Sequence, residues 1–496
     1  MSENRAATRA LDEAASLLKS LPGPVWEGQI SSALGMILKV KGLSGILSAG
    51  DLCTVERRGM DDIDCQVVGV ESGESLLMSF ADTEGVSVGA RVTFPEQRFR
   101  IKVSDGWLGR VIGPMAQPID GLGPLPEGPF ATPLKGTPLP AYKRRRVGDM
   151  LDTGIKTIDA FTPICQGQRM GIFAGSGVGK STMLSMLARS TTAADVNVIG
   201  LIGERGREVQ EFLQRDLGEE GLKRSIVIVS TSDESALARR QAAYLTMAVA
   251  EDQRKRGRHV FCMMDSVTRF AHALREIGLA VGEPPSARGF PPSVFGELAH
   301  LLERSGPGMD GQGDITLAAT VLVDGDDHDD PIADSVRGIL DGHIKLSRDI
   351  AMRGRYPAID VPGSVSRLAP ECYPGEMDAE IAAEARRLLS VYEEKRDIIS
   401  IGLYKQGSDQ ETDRAIQKVP AIEAFCHQER EESLPARAGI DELSVICRGT
   451  LAQKKPEEHQ VPATIDQTPE AEIIDDGTSD FDVLEEDETL PVAVAS

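Results

Sequence analysis

Ala174-Gly175-Ser176-Gly177-Val178-Gly179-Lys180-Ser181-Thr182 follows an apolar, strand-like run at 170–174 and precedes a helix-like stretch at 181–189. Glycines at such a junction let the backbone curl until successive N–H groups point inward at phosphate oxygens, and the following helix adds its positive end. Lys180 then supplies a point charge for the outer phosphates of ATP, and the Ser181 hydroxyl a ligand for Mg2+. Gly175, Ser176, Gly177, Val178, Gly179, Lys180, Ser181 and Thr182 are therefore the predicted nucleotide cradle. One position departs from the usual pattern: the loop begins with Ala174 where Gly is customary.

Outward from this loop, strand-like runs at 196–202, 226–229 and 260–264 alternate with helix-like stretches at 234–254 and 267–277. This alternation predicts an α/β unit, a mostly parallel sheet covered on both faces, with ligands at the carboxyl ends of its strands. Two acids fall at such ends. The run at 259–264 stops at Asp265, where a water-mediated Mg2+ ligand belongs. An Asp after an apolar strand is usually only a helix cap; beside a phosphate loop the metal role becomes the better assignment. The run at 198–202 leads into Gly203-Glu204-Arg205-Gly206-Arg207-Glu208, and Glu204 can accept a proton from, or orient, the attacking water. Without that context, a solvated Gly-Glu-Arg turn would be expected.

The flanks look different. Leu11, Ala14, Leu17, Leu18 and Leu21 recur at spacings of three and four before Pro22-Gly23-Pro24, which predicts an amphipathic helix within 1–24. It either packs on its own domain or docks on a partner or lipid surface. Short apolar runs punctuated by glycines over 25–97 predict a small barrel or sandwich. Residues 98–365 carry the α/β pattern. Helical stretches at 377–394 and 411–431 predict a C-terminal helical domain over 366–453, and 454–496 is acidic and poor in aromatics, as disordered tails are.

With 496 residues the chain exceeds what one core holds. Its net charge of -23 includes 13 acids and no Lys or Arg after Lys455, so the remainder is only moderately acidic, at about -10. A general nucleic-acid binder needs a basic stripe and is not expected. The seven cysteines show no CxxC pair, and reduced thiols are the expectation. The N-terminus has no apolar signal core and no stretch approaches ~18 apolar residues, which implies an intracellular protein.

LDTGIKTIDAFTPICQGQRMGIFAGSGVGKS, GERGRE, DSVTRFA, DDPIADSVRGILDGHIKLSR, RYPAID and SVSR together resemble the family of rotary F- and V-type ATPase catalytic subunits and secretion ATPases. FAGSGVGKS with its leading Ala, SVFGELAHLLERSG, TVLVDGDDHDDPIADSVRGILDGHI and YKQGSDQETDRAI are most similar to its type III secretion branch, above all the flagellar export ATPases. The resemblance implies an N-terminal β-barrel, a RecA-like P-loop domain and a C-terminal helical domain, assembled as a homohexamer. It implies that Glu204 is the catalytic carboxylate and that Arg205 and Arg269 lie near the γ-phosphate. It further implies that Tyr356 stacks on adenine, that Phe425 closes the other side of that pocket, and that Arg367 is an arginine finger entering the neighbouring subunit's site. For an arginine out of such motifs a surface ion pair is expected, and for Tyr356 ordinary packing.

The function so implied is ATP hydrolysis in a cytoplasmic ring, peripherally associated with the inner membrane, that powers flagellar protein export, including chaperone release and unfolding. Its implied partners are a stator-like regulator at the N-terminus, a central stalk protein, an export gate, and export chaperones with their cargo, with no nucleic acid. Three competitors share some features. An ion-translocating rotary ATPase subunit has the same chemistry, but an alternating two-subunit ring can divide Glu204 and Arg367 between chains. A non-catalytic ring subunit needs no Glu204. An RNA translocase needs a basic, aromatic strand in the N-terminal region.

Overall fold

Six short strands close on themselves at the N-terminal end: β1 (Val25–Leu34), β2 (Ile37–Lys41), β3 (Leu52–Val55), β4 (Ile63–Glu71), β5 (Glu74–Ser79) and β6 (Arg91–Pro95), in the order β1-β2-β5-β4-β3-β6, with β6 pairing back onto β1. Alternate residues such as Cys53 and Val55, or Val92 and Phe94, face inward with Ile30, Leu38, Val40, Val67 and Leu77. Closure removes the free sheet edges that a sandwich would leave. This computed structural model describes residues 25–71, 73–95, 100–175, 177–191, 193–323 and 330–449. The expected helix within 1–24, the acidic tail and Ser176 lie outside them.

The barrel leans on the next unit through Met78, which packs with Ala236, Leu237, Ala273 and Ile277, and through a 3.1 Å bond from Ser235 Oγ to the Phe80 carbonyl. That unit is built on one sheet, whose strands run in the order Val365–Ser366, Gly342–Lys345, Arg169–Ala174, Asp314–Leu322, Val260–Asp265, Val196–Glu204, Ser225–Thr231 and Val111–Ile112. All neighbours on this path are parallel except Val365–Ser366, which is antiparallel to Gly342–Lys345. The central strands are buried along nearly their whole length, as strands covered on both faces must be. The central strand Asp314–Leu322 is not among the sequence-predicted strands. Its small residues, Ala318 and Ala319 among them, give it a weaker apolar signature than its neighbours.

Helix Ala236–Lys255 begins at Ser235, whose hydroxyl accepts from the Ala238 N–H, and covers one face with Val267–Ala280. Near its far end Glu251 meets the fully buried Arg304 through two bonds of 3.0 and 2.9 Å. The C-terminal helices are Glu376–Ser400, Gln410–Phe425 and Ala436–Arg448. The second ends at Phe425, short of the expected 431, and the third was not anticipated. Glu429, Glu431 and Glu432 between them continue a helix-like composition without forming a turn of helix, and Pro435 caps the start of the third helix.

One expectation fails outright. Cys165 and Cys372, 207 residues apart, form a disulfide, with Cα atoms 5.4 Å apart. Sequence spacing carries no trace of a contact that only the fold creates. The other five cysteines are buried free thiols. Among the described residues no helix is long and apolar enough to cross a membrane.

Arg304→Met should destabilise the fold by about 3–5 kcal/mol, because it leaves the Glu251 carboxylate buried and unpaired. Adding Glu251→Met should restore much of that loss. Urea unfolding followed by circular dichroism checks both; equal stability of the single and double variants would contradict the ion-pair account.

Candidate functional site

At the carboxyl end of strand Arg169–Ala174 the chain turns through Gly177 and Gly179, both with positive φ (78° and 92°), a conformation that side chains with a Cβ rarely adopt. Gly179 then caps helix Lys180–Ser190, which is anchored by Met183, Leu184, Met186 and Leu187. Val178 is buried beneath the loop, Ser181 is exposed and Thr182 is half-buried. The loop is thus held from below while its polar atoms face outward.

The Lys180 ammonium lies between two acids from other strands. Nζ donates to Asp265 Oδ1 at 2.5 Å and to Glu204 Oε1 at 3.0 Å. The three side chains are only 11, 7 and 14% exposed, in the order Lys180, Asp265, Glu204, so their charges act in a weakly screened environment. Thr320 Oγ1 donates to Asp265 Oδ1 at 2.7 Å and fixes the carboxylate. Burial works against the Lys180 ammonium, but the charges of Asp265 and Glu204 outweigh it and raise its pKa. Glu204 is pushed up to about 7, first by burial, then by the Asp265 charge, against the pull of Lys180 and with a contribution from a hydrogen bond to Glu208. Glu208 is held below the usual carboxylate range, mainly by that bond.

Arg269 reaches this corner along Gly203. A Cβ on Gly203 would meet the Arg269 Cβ at 2.9 Å, and φ there is +71°, so the glycine makes room for the arginine. The Arg269 Nε is buried and has no hydrogen-bond partner within the described residues. Arg205, by contrast, has a largely exposed side chain paired with Glu208 at 3.2 Å.

Tyr356 stands against the loop: its ring carbons come within 3.4 and 3.5 Å of where a Cβ on Gly179 would be. A cavity of about 410 Å3 opens there, between Gly179, Thr182, Met183 and Met186 on one side and Tyr356, Pro357 and the His427 to Arg430 segment on the other. Phe425 does not line it. It is 2% exposed and packs edge-on against Phe161 at 6.2 Å, with Lys156 Nζ above its ring. The helix carrying Phe425 points that residue into the core, and the loop after it supplies the cavity wall. Of the residues not anticipated from sequence, Thr320 sat in an unrecognised strand, whereas Glu208 stood within the quoted GERGRE and His427 two residues after Phe425.

Arg367 is exposed and lies away from this cluster. Its N–H donates to the Asp341 carbonyl, and Asp341 N–H donates to the Arg169 carbonyl, which puts Arg367 level with the amino end of the P-loop strand. Lys180 follows the carboxyl end. At ~3.3 Å per residue the two ends of that strand are roughly 16 Å apart.

Ser181 and Asp265 offer a hydroxyl and a carboxylate, hard oxygen donors that suit Mg2+, which typically takes one or two carboxylates and completes its shell with phosphate and water. The donor chemistry therefore fits the ion.

Residues 154–366 match the ATP synthase alpha/beta family, nucleotide-binding domain, and residues 376–444 match the T3SS EscN ATPase C-terminal domain. A flagellum-specific ATP synthase of Caulobacter vibrioides is 52% identical, over 82% of this chain and 92% of that protein. The assembled ATPase EscN from the enteropathogenic E. coli type III secretion system superposes with a TM-score of 0.79 at 38% identity, over 85% of this chain and all of that one. EscN in complex with its central stalk EscO gives 0.76 at 36% identity, with the same coverage.

If Glu204 serves as the base, its ionisation near pH 7 leaves a signature. Because the Glu204 pKa is raised to about 7, the carboxylate needed as proton acceptor accumulates only as pH rises through that value. ATPase kcat/KM should therefore climb between about pH 6 and pH 8 and then level off, while Glu204→Gln should hydrolyse little at any pH yet still bind ATP. Steady-state rates across pH check this, and parental turnover in Glu204→Gln would move the carboxylate role elsewhere.

Proposed function

This chain belongs to the family of flagellum-specific and type III secretion ATPases, and on that premise we propose that it hydrolyses Mg-ATP at Lys180, Glu204 and Asp265 within a homohexameric ring. The observation that carries the site assignment is the Lys180 ammonium shared by Glu204 and Asp265 at 3.0 and 2.5 Å. Chain membership makes it an ATP-hydrolysing enzyme of protein export. The match of its C-terminal helices to the type III secretion branch favours that role over an ion-translocating rotary subunit. The higher identity to a flagellar relative than to EscN favours flagellar cargo.

In this mechanism Gly175 to Thr182 wrap the phosphates, and Lys180 offers charge to their outer oxygens. Ser181 and Asp265 would hold Mg2+, which when bound neutralises phosphate charge. Glu204 takes the proton of the attacking water at its carboxylate, with Glu208 as the neighbour that keeps its affinity for that proton high. Arg269, with its unpaired Nε, and Arg205 are cations for charge that develops on the transferred group. Tyr356 and the His427 segment receive the adenine. The position of Arg367 at the far end of its own P-loop strand supports its use in a neighbour's site, where an arginine in trans is worth ~10³ to 10⁵ in rate. The domains are proposed at 25–97, 98–365 and 366–453. The proposed partners are a central stalk, in the way EscN takes EscO, a stator-like regulator, an export gate, and chaperones with cargo.

Lys180→Ala should lower turnover by at least ~10² while circular dichroism stays parental, since the residue stands at the first position of its helix and Glu204 and Asp265 can take up a proton when its charge is removed. Arg367→Ala should bind ATP and hydrolyse little, even when assembled. Mixing Arg367→Ala with Glu204→Gln subunits should restore part of the rate, because some joints then pair an intact Glu204 with an intact Arg367. Full activity of Arg367→Ala alone, with turnover independent of protein concentration, would sink the trans arrangement.

A further inference from the structure

The Cys165–Cys372 bond crosses the seam that the nucleotide cavity also crosses. Cys165 ends the strand Ile164–Cys165, a few residues before the P-loop strand. Cys372 ends the short helix Ala369–Cys372, five residues after Arg367, and the long helix Glu376–Ser400 starts just beyond. The bond therefore ties the ATP unit to the arm that carries Arg367 and leads into the C-terminal helices. Polar contacts already hold the arm: Gln168 Oε1 accepts from Cys165 N–H at 2.8 Å, Gln168 Nε2 donates to Ser366 Oγ at 3.0 Å, and Ser366 Oγ donates to the Pro163 carbonyl at 2.9 Å. The arm thus has a docked position whether or not the sulfurs are joined, so bond formation needs no rearrangement. Cys165 is fully buried and Cys372 is 3% exposed.

The chain's other facing pair behaves differently. Cys53 and Cys65 sit opposite each other on β3 and β4 yet remain free thiols. Burial pushes both up to about 12, which keeps thiolate, the form that exchanges, scarce. Disulfides inside cells are mostly reversible and regulatory.

We propose that Cys165 and Cys372 are a thiol–disulfide modification site that, when closed, clamps the Arg367 arm and the C-terminal helices onto the ATP unit and slows turnover. The co-reactant is a small-molecule disulfide. One cysteine thiolate attacks it, forming a mixed disulfide and expelling one small thiolate. The second cysteine thiolate then attacks the protein sulfur, forming the Cys165–Cys372 bond and expelling the other. Two electrons pass from the pair to the small disulfide, and the two protons end on its released thiols. Slowing follows because Gly179 to Met186 and Tyr356 line the cavity from the ATP unit while the His427 segment lines it from the C-terminal helices, the two parts that the bond joins. Burial of both sulfurs makes exchange wait on local opening, so its rate should saturate with thiol concentration.

The kinetic half of this proposal rests on the ATPase site described above; the thiol half does not, and the test separates them. The full chain is equilibrated in mixtures of reduced and oxidised glutathione, alkylated under denaturing conditions, weighed intact, and assayed for ATPase in parallel. The expected count is five alkylated cysteines in the oxidising mixtures and seven in the reducing ones. Turnover should be roughly twofold or more higher in the reduced form, changing at the same glutathione ratio as the count. Cys372→Ser, or Cys165→Ser should the first fold poorly, should form no internal bond, showing six alkylated cysteines in reducing mixtures and, in oxidising ones, six or five with one glutathione adduct, and a turnover that stays at the reduced level. Seven alkylated cysteines in every mixture would overturn the site. A change in count with no change in turnover would overturn the clamp, and a serine variant that keeps the parental response would transfer the effect to Cys53 and Cys65.

Discussion

The proposed ATP site is built around one ammonium group shared by two buried acids. Lys180 comes from the turn after one strand, Asp265 from the tip of a second and Glu204 from the tip of a third, and Thr320 steadies Asp265 from a fourth that runs between them. Two carboxylates this buried and this close repel each other, and without a cation one of them would take up a proton. The lysine draws both toward the ionised form, and Glu204 still reaches it only as pH rises through about 7. The parallel order of the strands matters because it brings all four groups to one end of the sheet.

The same corner shows how backbone freedom is used for fit. Gly203 is not needed for flexibility as such: its positive φ and the 2.9 Å approach of Arg269 leave no place for a Cβ. The arginine side chain lies along the turn that presents Glu204, so one contact positions both the cation and that carboxylate. Glu208 adds a second adjustment, since the bond that lowers its own proton affinity raises that of Glu204. Removing Glu208 changes the state of Glu204 without touching it.

Where function is local in the chain, the sequence was legible. The phosphate loop, the Asp265 strand tip and the Glu204 turn each combine an apolar run with a chemically specific end, and all three stand where that pattern puts them. Closure of the N-terminal strands into a barrel was one of two alternatives, because nothing in a strand's alternation says whether its sheet meets itself. Asp314–Leu322 escaped notice because small residues blur its periodicity, and Thr320 was lost with it. Phe425 sat close to the correct loop, but one turn of helix decides whether a ring faces a cavity or the core, and local sequence does not fix that angle. The Cys165–Cys372 contact depends wholly on tertiary structure.

The opposed placement of Arg367 and Lys180 along a single strand gives the chain a polarity. A two-fold dimer can pair both ends only when they lie on one face; where donor and receiver lie on opposite faces, the contact runs head to tail. Copies that join through these groups add in one sense only, and the series either closes or continues without limit. An arc of such copies always keeps one unfinished pocket at its leading end and one idle arginine at its trailing end. Closing the last joint removes both at once, so the final copy to arrive completes two pockets where every earlier arrival completed one.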